Sequence, residues 1–143
     1  VTHVLDHMGL TVSDLDRSVA FYCDVVGMEF QKRGFKTGGE WFDTLTNNSG
    51  AVIDAARVGF DGFCLQLVQY QEGGGGTALN GHNRVGNPHL CIRVPDVDEK
   101  RRQIVASGDH QATPIVEVAG GPARSFYISD PDGTPIEFIQ LRP

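Results

Sequence analysis

Positive charge is in short supply. Among 143 residues, 12 Lys and Arg stand against 18 Asp and Glu, a formal net charge of −6. Such a balance gives a nucleic-acid partner no electrostatic support. The one basic run, Lys100-Arg101-Arg102, follows Asp98 and Glu99 and reads as a solvated helix face. Cysteine is sparse too: Cys23, Cys64 and Cys91 are odd in number and form no CxxC, so reduced thiols are expected rather than a disulfide framework. No apolar run reaches the ~20 residues that span a bilayer. The opening residues lack the basic-then-apolar layout of a signal peptide, so a cytoplasmic protein with no membrane association is expected. What remains, 40% hydrophobic and 21% charged, is ordinary for a globular domain with a substantial core.

What the chain does have is an internal repeat. The segment His7 to Asp16, HMGLTVSDLD, is echoed by His89 to Asp98, HLCIRVPDVD, at an offset of 82 residues. Further on, Asp61 to Gln69, DGFCLQLVQ, is echoed by Asp132 to Gln140, DGTPIEFIQ, at an offset of 71. The first half thus offers His7 and Gln66, and the second His89 and Glu137, at equivalent places. A duplicated unit that donates two ligands per copy can close around one metal ion.

Local patterning gives each copy the same order of elements. Asp6 to Val12 is expected as a strand, followed by a helix capped by Asp14, with Leu15, Val19, Tyr22 and Val26 on one face and Gly27 ending it. Strands are expected over 30–33, 40–45, 52–60 and 63–70, the last two joined by an Asp61-Gly62 hairpin. In the second copy, a strand over 89–94 precedes a helix capped by Asp96, with Glu99 in capping-box spacing, that ends near Ser107. Strands over 113–118, 124–129 and 135–140 complete it. The expected organisation is a single domain over 1–143. It comprises a first βαβββ module at 1–70, a linker at 71–88 that carries Gly73-Gly74-Gly75-Gly76, and a second βαβββ module at 89–143.

Strand alternation then sets which side chains share a face. Gln66 lies between Leu65 and Leu67, and Glu137 between Ile136 and Phe138, so a polar residue flanked by large apolar ones recurs in both copies. Cys64 and Cys91 are expected as small side chains on the ligand face. Arg57, Arg93 and Arg124 are candidates for meeting anions.

These motifs, together with Phe21-Tyr22 through Gly27 and the C-terminal Asp130-Pro-Asp-Gly-x-x-x-Glu137-Phe138, resemble the vicinal oxygen chelate superfamily. That superfamily holds glyoxalase I, methylmalonyl-CoA epimerase, fosfomycin-resistance proteins, bleomycin-binding proteins and extradiol dioxygenases. The resemblance runs from Leu5 to Leu141 and implies an α+β fold: two tandem βαβββ modules forming an incompletely closed, eight-stranded, mixed barrel-like sheet with a metal site inside. It also implies His7, Gln66, His89 and Glu137 as the metal ligands, a set closest to that of the epimerase, and a homodimer. Glyoxalase I more often carries a carboxylate where this chain has Gln66.

Two neutral imidazoles, one amide and one carboxylate leave a divalent ion with a charge of about +1. Mixed nitrogen and oxygen donors suit Co, Mn, Ni, Zn or Fe. The expected substrate is a small molecule with two neighbouring oxygens. The expected reaction is an isomerase or lyase step by proton abstraction and a metal-stabilised enolate. Glu137 is the first candidate base. Asp54, in a strand that pairs with the Gln66 strand, is the second. Three alternatives stand beside this reading: an Fe(II) extradiol-type dioxygenase using His7, His89 and Glu137, a fosfomycin-type thiol transferase, and a non-enzymatic antibiotic-binding protein.

Overall fold

The computed structural model describes residues 2–77 and 81–141, in two compact units, Val1–Thr77 and Ala78–Pro143. Residues 78–80 of the expected linker lie outside the described residues. In the first unit, a sheet with strand order β1-β5-β4-β2 is built from β1 (Met8–Thr11), β2 (Glu29–Arg33), β4 (Val52–Phe60) and β5 (Phe63–Glu72). A two-residue β3 (Thr37–Gly38) pairs with β4. In the second unit, β6 (Leu90–Arg93), β7 (Val116–Glu117), β8 (Ala123–Ser129) and β9 (Pro135–Leu141) form a sheet ordered β6-β9-β8-β7. The two sheets repeat one plan, with a short strand running parallel to the last long strand of its own unit.

Both units use the same device to start their first helix. Helix α1 (Leu15–Ala20) is capped by the Asp14 carboxylate, which accepts from Arg17 N at 2.9 Å, while the Gln69 side chain of β5 accepts from Leu15 N at 2.9 Å. In the second unit α3 (Val97–Ser107) is capped by Asp96, which accepts from Glu99 N at 2.9 Å, and the Gln140 side chain of β9 accepts from Val97 N at 3.2 Å. The repeated glutamine at the end of each motif is therefore structural. It satisfies a helix N–H that has no partner within the helix. Helix α1 continues as a π-helical stretch, Phe21–Val26, closed by Gly27 at φ 95° with Gly27 N and Met28 N both on Tyr22 O.

The faces turned toward the helices are the apolar ones. In the first unit Leu15, Tyr22, Val58, Leu65 and Leu67 are fully buried; in the second Val97, Ile104, Phe126, Ile136 and Phe138 are. Phe126 and Phe138 stack at 5.3 Å, and the Lys100 ammonium lies 5.2 Å above the Phe138 ring. The Asp-Pro-Asp-Gly motif makes the turn between β8 and β9. The Asp130 carboxylate accepts from Asp132 N at 2.9 Å and Thr134 N at 2.7 Å, and Gly133 takes φ 88°.

Three expectations need correction. Residues 40–45, read as a strand, fold as helix α2 (Glu40–Thr46). Thr44 and Thr46, which favour strands by β-branching, instead donate their hydroxyls back to Glu40 O and Phe42 O at 2.8 Å each. Phe42 is buried against Ala51, Ile53, Val68 and Tyr70, a tertiary contact that local pattern does not show. The strand expected over 113–118 shrinks to Val116–Glu117, because Thr113 meets Tyr127 partly through its own side chain and Pro114 has no N–H to give. Finally, β5 runs on to Glu72, two residues into the expected linker. Among the described residues no helix is long and apolar enough to cross a membrane.

Candidate metal centre

Register, rather than sequence distance, sets side by side the strands that carry or follow the candidate ligands in each unit. In the first unit Gly9 of β1 pairs with Gln66 of β5, and Arg57 of β4 pairs with Gln66 from the other side. His7 immediately precedes β1. In the second unit Cys91 of β6 pairs with Glu137 of β9, and Tyr127 of β8 pairs with Glu137 from the other side. Gly9 is thus the counterpart of Cys91, and Arg57 that of Tyr127.

The second half-site is densely hydrogen-bonded. Ser125 donates its hydroxyl to Glu137 Oε1 at 2.5 Å and Tyr127 to Oε2 at 2.9 Å. His89 Nε2 stands 3.8 Å from Glu137 Oε2. Burial by itself raises the Glu137 carboxyl, but hydrogen bonds from Ser125, Tyr127 and Cys91, with the field of His89, hold it below its ordinary range. The neighbours pay the reciprocal cost. Tyr127 is pushed up to about 12 by burial and by its bond to Glu137, and the Cys91 thiol to about 11 by burial and by the same carboxylate. Cys91 is therefore a protonated donor at neutral pH and not a thiolate nucleophile. The His82 ring meets the Tyr127 ring edge-on at 4.5 Å.

The first half-site has no such cradle. The Gln66 side chain has no hydrogen-bond partner among the described residues. His7 Nδ1 lies 2.5 Å from Asp6 Oδ2, and the same oxygen accepts from Arg57 Nη2 at 3.2 Å.

Within the second unit, His89 and Glu137 suit a shared divalent ion. His89 Nε2 and Glu137 Oε2 are 3.8 Å apart. That is inside the roughly 4.2 Å that two bonds of ~2.1 Å to one ion can bridge. Gln66 has a free amide oxygen, and a bond through Nδ1 leaves His7 Nε2 available. Within neither unit do three His, Cys, Asp or Glu side chains cluster, among the described residues, as a metal-binding group.

Asp54 is not brought to this face. The register pairs it with Gln69, three positions from the Arg57–Gln66 pair, so alternation puts it with Leu65 and Leu67 on the opposite side of the sheet. There it accepts from Gln71 Nε2 at 3.1 Å. Arg124 is likewise engaged elsewhere, in a two-pronged pair with Asp98 of α3. Sequence reasoning overlooked Asp6, Ser125 and Tyr127. The signal for Tyr127 was its place on the strand that pairs with the Glu137 strand.

The chain is thus two copies of one sheet plan, each with a polar residue beside its parallel strand. The family model of the Glyoxalase/Bleomycin resistance protein/Dioxygenase superfamily matches residues 4–138, and the chain belongs to that superfamily. It is 30% identical over 144 residues to a Vibrio cholerae protein described as a probable lactoylglutathione lyase, covering 96% of this chain and 91% of that one. It is 29% identical over 135 residues to the lactoylglutathione lyase of Haemophilus influenzae, covering 94% and 90% respectively. In three dimensions it resembles a glyoxalase family protein from Bacillus cereus with a TM-score of 0.84 at 19% identity, covering 100% of this chain and 97% of that one, a likeness of fold alone.

Proposed function

We propose that this chain is a divalent-metal-dependent lyase or isomerase that moves a proton on a small molecule with two neighbouring oxygens. In this reading His7, Gln66, His89 and Glu137 supply the ligands, two from each repeat, to an ion of Co, Mn, Ni, Zn or Fe, inside a barrel-like pairing of the two modules. The observation that carries it is the equivalent register of the two pairs: Gln66 beside the strand that follows His7, and Glu137 beside the strand that follows His89. A divalent ion held there would act as a Lewis acid, making the C–H next to a chelated oxygen more acidic.

The chain's own residues supply the rest. Glu137 is ionised at neutral pH, because the bonds from Ser125 and Tyr127 favour its charged form, and in this reading it takes the proton. The bond from Tyr127 also keeps the carboxylate in one orientation. Since Asp54 faces away, the second base of a two-base epimerisation is not supplied by that residue, which supports a single-carboxylate lyase over the epimerase variant. The names of the Vibrio and Haemophilus relatives point the same way. A homodimer and a cytoplasmic location belong to the same proposal.

The test is metal content of protein purified without chelator, with His89→Ala as control, followed by an assay for lactoylglutathione formation and for α-proton exchange in D₂O. About one equivalent of Co, Mn, Ni or Zn, lost in the control, with turnover, is the expected result. Bound iron with ring-cleaving oxygenase activity would move the dioxygenase reading ahead. No metal after reconstitution would leave a binding protein.

A further inference from the structure

We infer that Asp6 positions His7, fixing its imidazole in the tautomer that carries the proton on Nδ1 and leaves Nε2 bare, with Arg57 steadying the Asp6 carboxylate. The inference concerns the first half-site and rests, for its purpose, on the metal-binding reading above.

The chemistry of the three groups leaves one arrangement. His7 Nδ1 is 2.5 Å from Asp6 Oδ2. An ionised carboxylate only accepts, so the hydrogen of that bond belongs to Nδ1. The Arg57 guanidinium sits on the same Asp6 oxygen and favours the ionised carboxylate, so the acceptor is the charged form. Arg57 Nη2 also comes within 3.5 Å of Nδ1, but a guanidinium only donates and Nδ1 has already used its hydrogen outward. The productive bond of Arg57 is the 3.2 Å one to the same Asp6 oxygen. One carboxylate oxygen thus holds both a ligand imidazole and an arginine that projects from the strand opposite Gln66.

The repeat provides an internal contrast. The residue at the Asp6 position in the second copy is Pro88, which has no acceptor side chain, and His89 faces Glu137 directly. So the first histidine needs an orienting group that the second obtains from its own partner ligand. Asp6 is largely exposed, so the pair adds little to folding; its effect is directional. Carboxylate partners of ligating histidines typically change metal affinity about 10–100-fold, and an exposed one belongs at the lower end.

The experiment uses the full chain, ¹⁵N-labelled, metal-free, at one fixed pH near 8, with His7→Gln to assign the His7 signals. Long-range ¹H–¹⁵N correlation reads which ring nitrogen is protonated, and calorimetry with Co²⁺ reads affinity. Wild type is expected to show Nδ1–H and bare Nε2. Asp6→Ala should shift His7 toward Nε2–H and weaken Co²⁺ binding about tenfold. Asp6→Asn, whose amide oxygen still accepts, should fall between. Nε2–H in wild type, or a tautomer unchanged in Asp6→Ala, overturns the inference and leaves the metal reading standing. Wild type that shows Nδ1–H yet binds no Co²⁺ overturns the metal reading and leaves the Asp6–His7 relation standing.

Discussion

Gln66 and Glu137 occupy equivalent places in two sheets of the same plan, yet their surroundings differ in kind. Glu137 receives hydrogen bonds from Ser125 and Tyr127 and faces His89, whereas Gln66 has Ala55 and Arg57 at the corresponding positions and no side-chain hydrogen bond among the described residues. The order of support is reversed at the histidines. His7 has Asp6 and Arg57; His89 has a proline before it. Duplication kept the backbone and the helix caps, because both copies must satisfy the same orphan N–H groups. It let the polar support diverge, because a charged carboxylate and a neutral amide need different neighbours. Both residues are part-buried, and there a charge without donors costs more than a neutral amide without them.

Exchanging the two donors tests this contrast most severely. Glu137→Gln should weaken divalent-metal binding by more than about 100-fold, close to 2.7 kcal/mol, by calorimetry. Gln66→Glu in that background should restore only part of it, since no hydroxyl stands ready in the first unit. Full restoration would show that the Ser125 and Tyr127 cradle is dispensable.

The next effect separates a required glycine from a free one. A Cβ on Gly59 would fall 2.0 Å from the backbone oxygen of Phe63, so Gly59→Ala should lower stability by about 3 kcal/mol in chemical denaturation. Gly9, the counterpart of Cys91, has nothing within 4 Å of such a Cβ, and Gly9→Ala should be neutral or stabilising by about 0.5 kcal/mol.

Removing one donor from Glu137 should act more mildly. Tyr127→Phe is expected to cost about 1 kcal/mol at neutral pH. The pH dependence has a definite sign. Because the folded carboxyl is held below its ordinary range, its contribution to the metal-free protein is present above the unfolded value of about 4.3 and is lost as pH falls through the lower folded value. Tyr127→Phe should shrink that acid-side loss. An unchanged acid limb would mean that Tyr127 does not stabilise the charged form.

The smallest effect lies in α1. The Ser18 hydroxyl is buried with no hydrogen-bond partner among the described residues, so Ser18→Ala should leave stability unchanged or raise it by about 0.5 kcal/mol.

Much of this architecture could be read locally. Asp14 and Asp96 announce their helices, and the Asp61-Gly62 turn and the alternation in CLQLV and PIEFI place Gln66 and Glu137 on the faces opposite the buried leucines and Phe138. The face of Asp54 was also within reach. A two-residue turn at Asp61-Gly62 that pairs Phe60 with Phe63 obliges Asp54 to meet Gln69. Helix α2 was not legible, because its short pattern suits strand or helix alike and the choice rests on Phe42 finding a cluster of four residues from β4, β5 and the loop before β4.

By itself the sequence determined the duplication, the caps, the strand faces and the four polar positions, since each follows from spacing and parity within a few residues. Tertiary structure alone decided which groups surround those positions. Ser125 and Tyr127 reach Glu137 through the antiparallel β8–β9 register, and Arg57 reaches Asp6 because β4 and β1 flank β5, antiparallel on one side and parallel on the other; residues ten or more apart are thereby set side by side, and side-chain hydrogen bonds form across strands rather than along them.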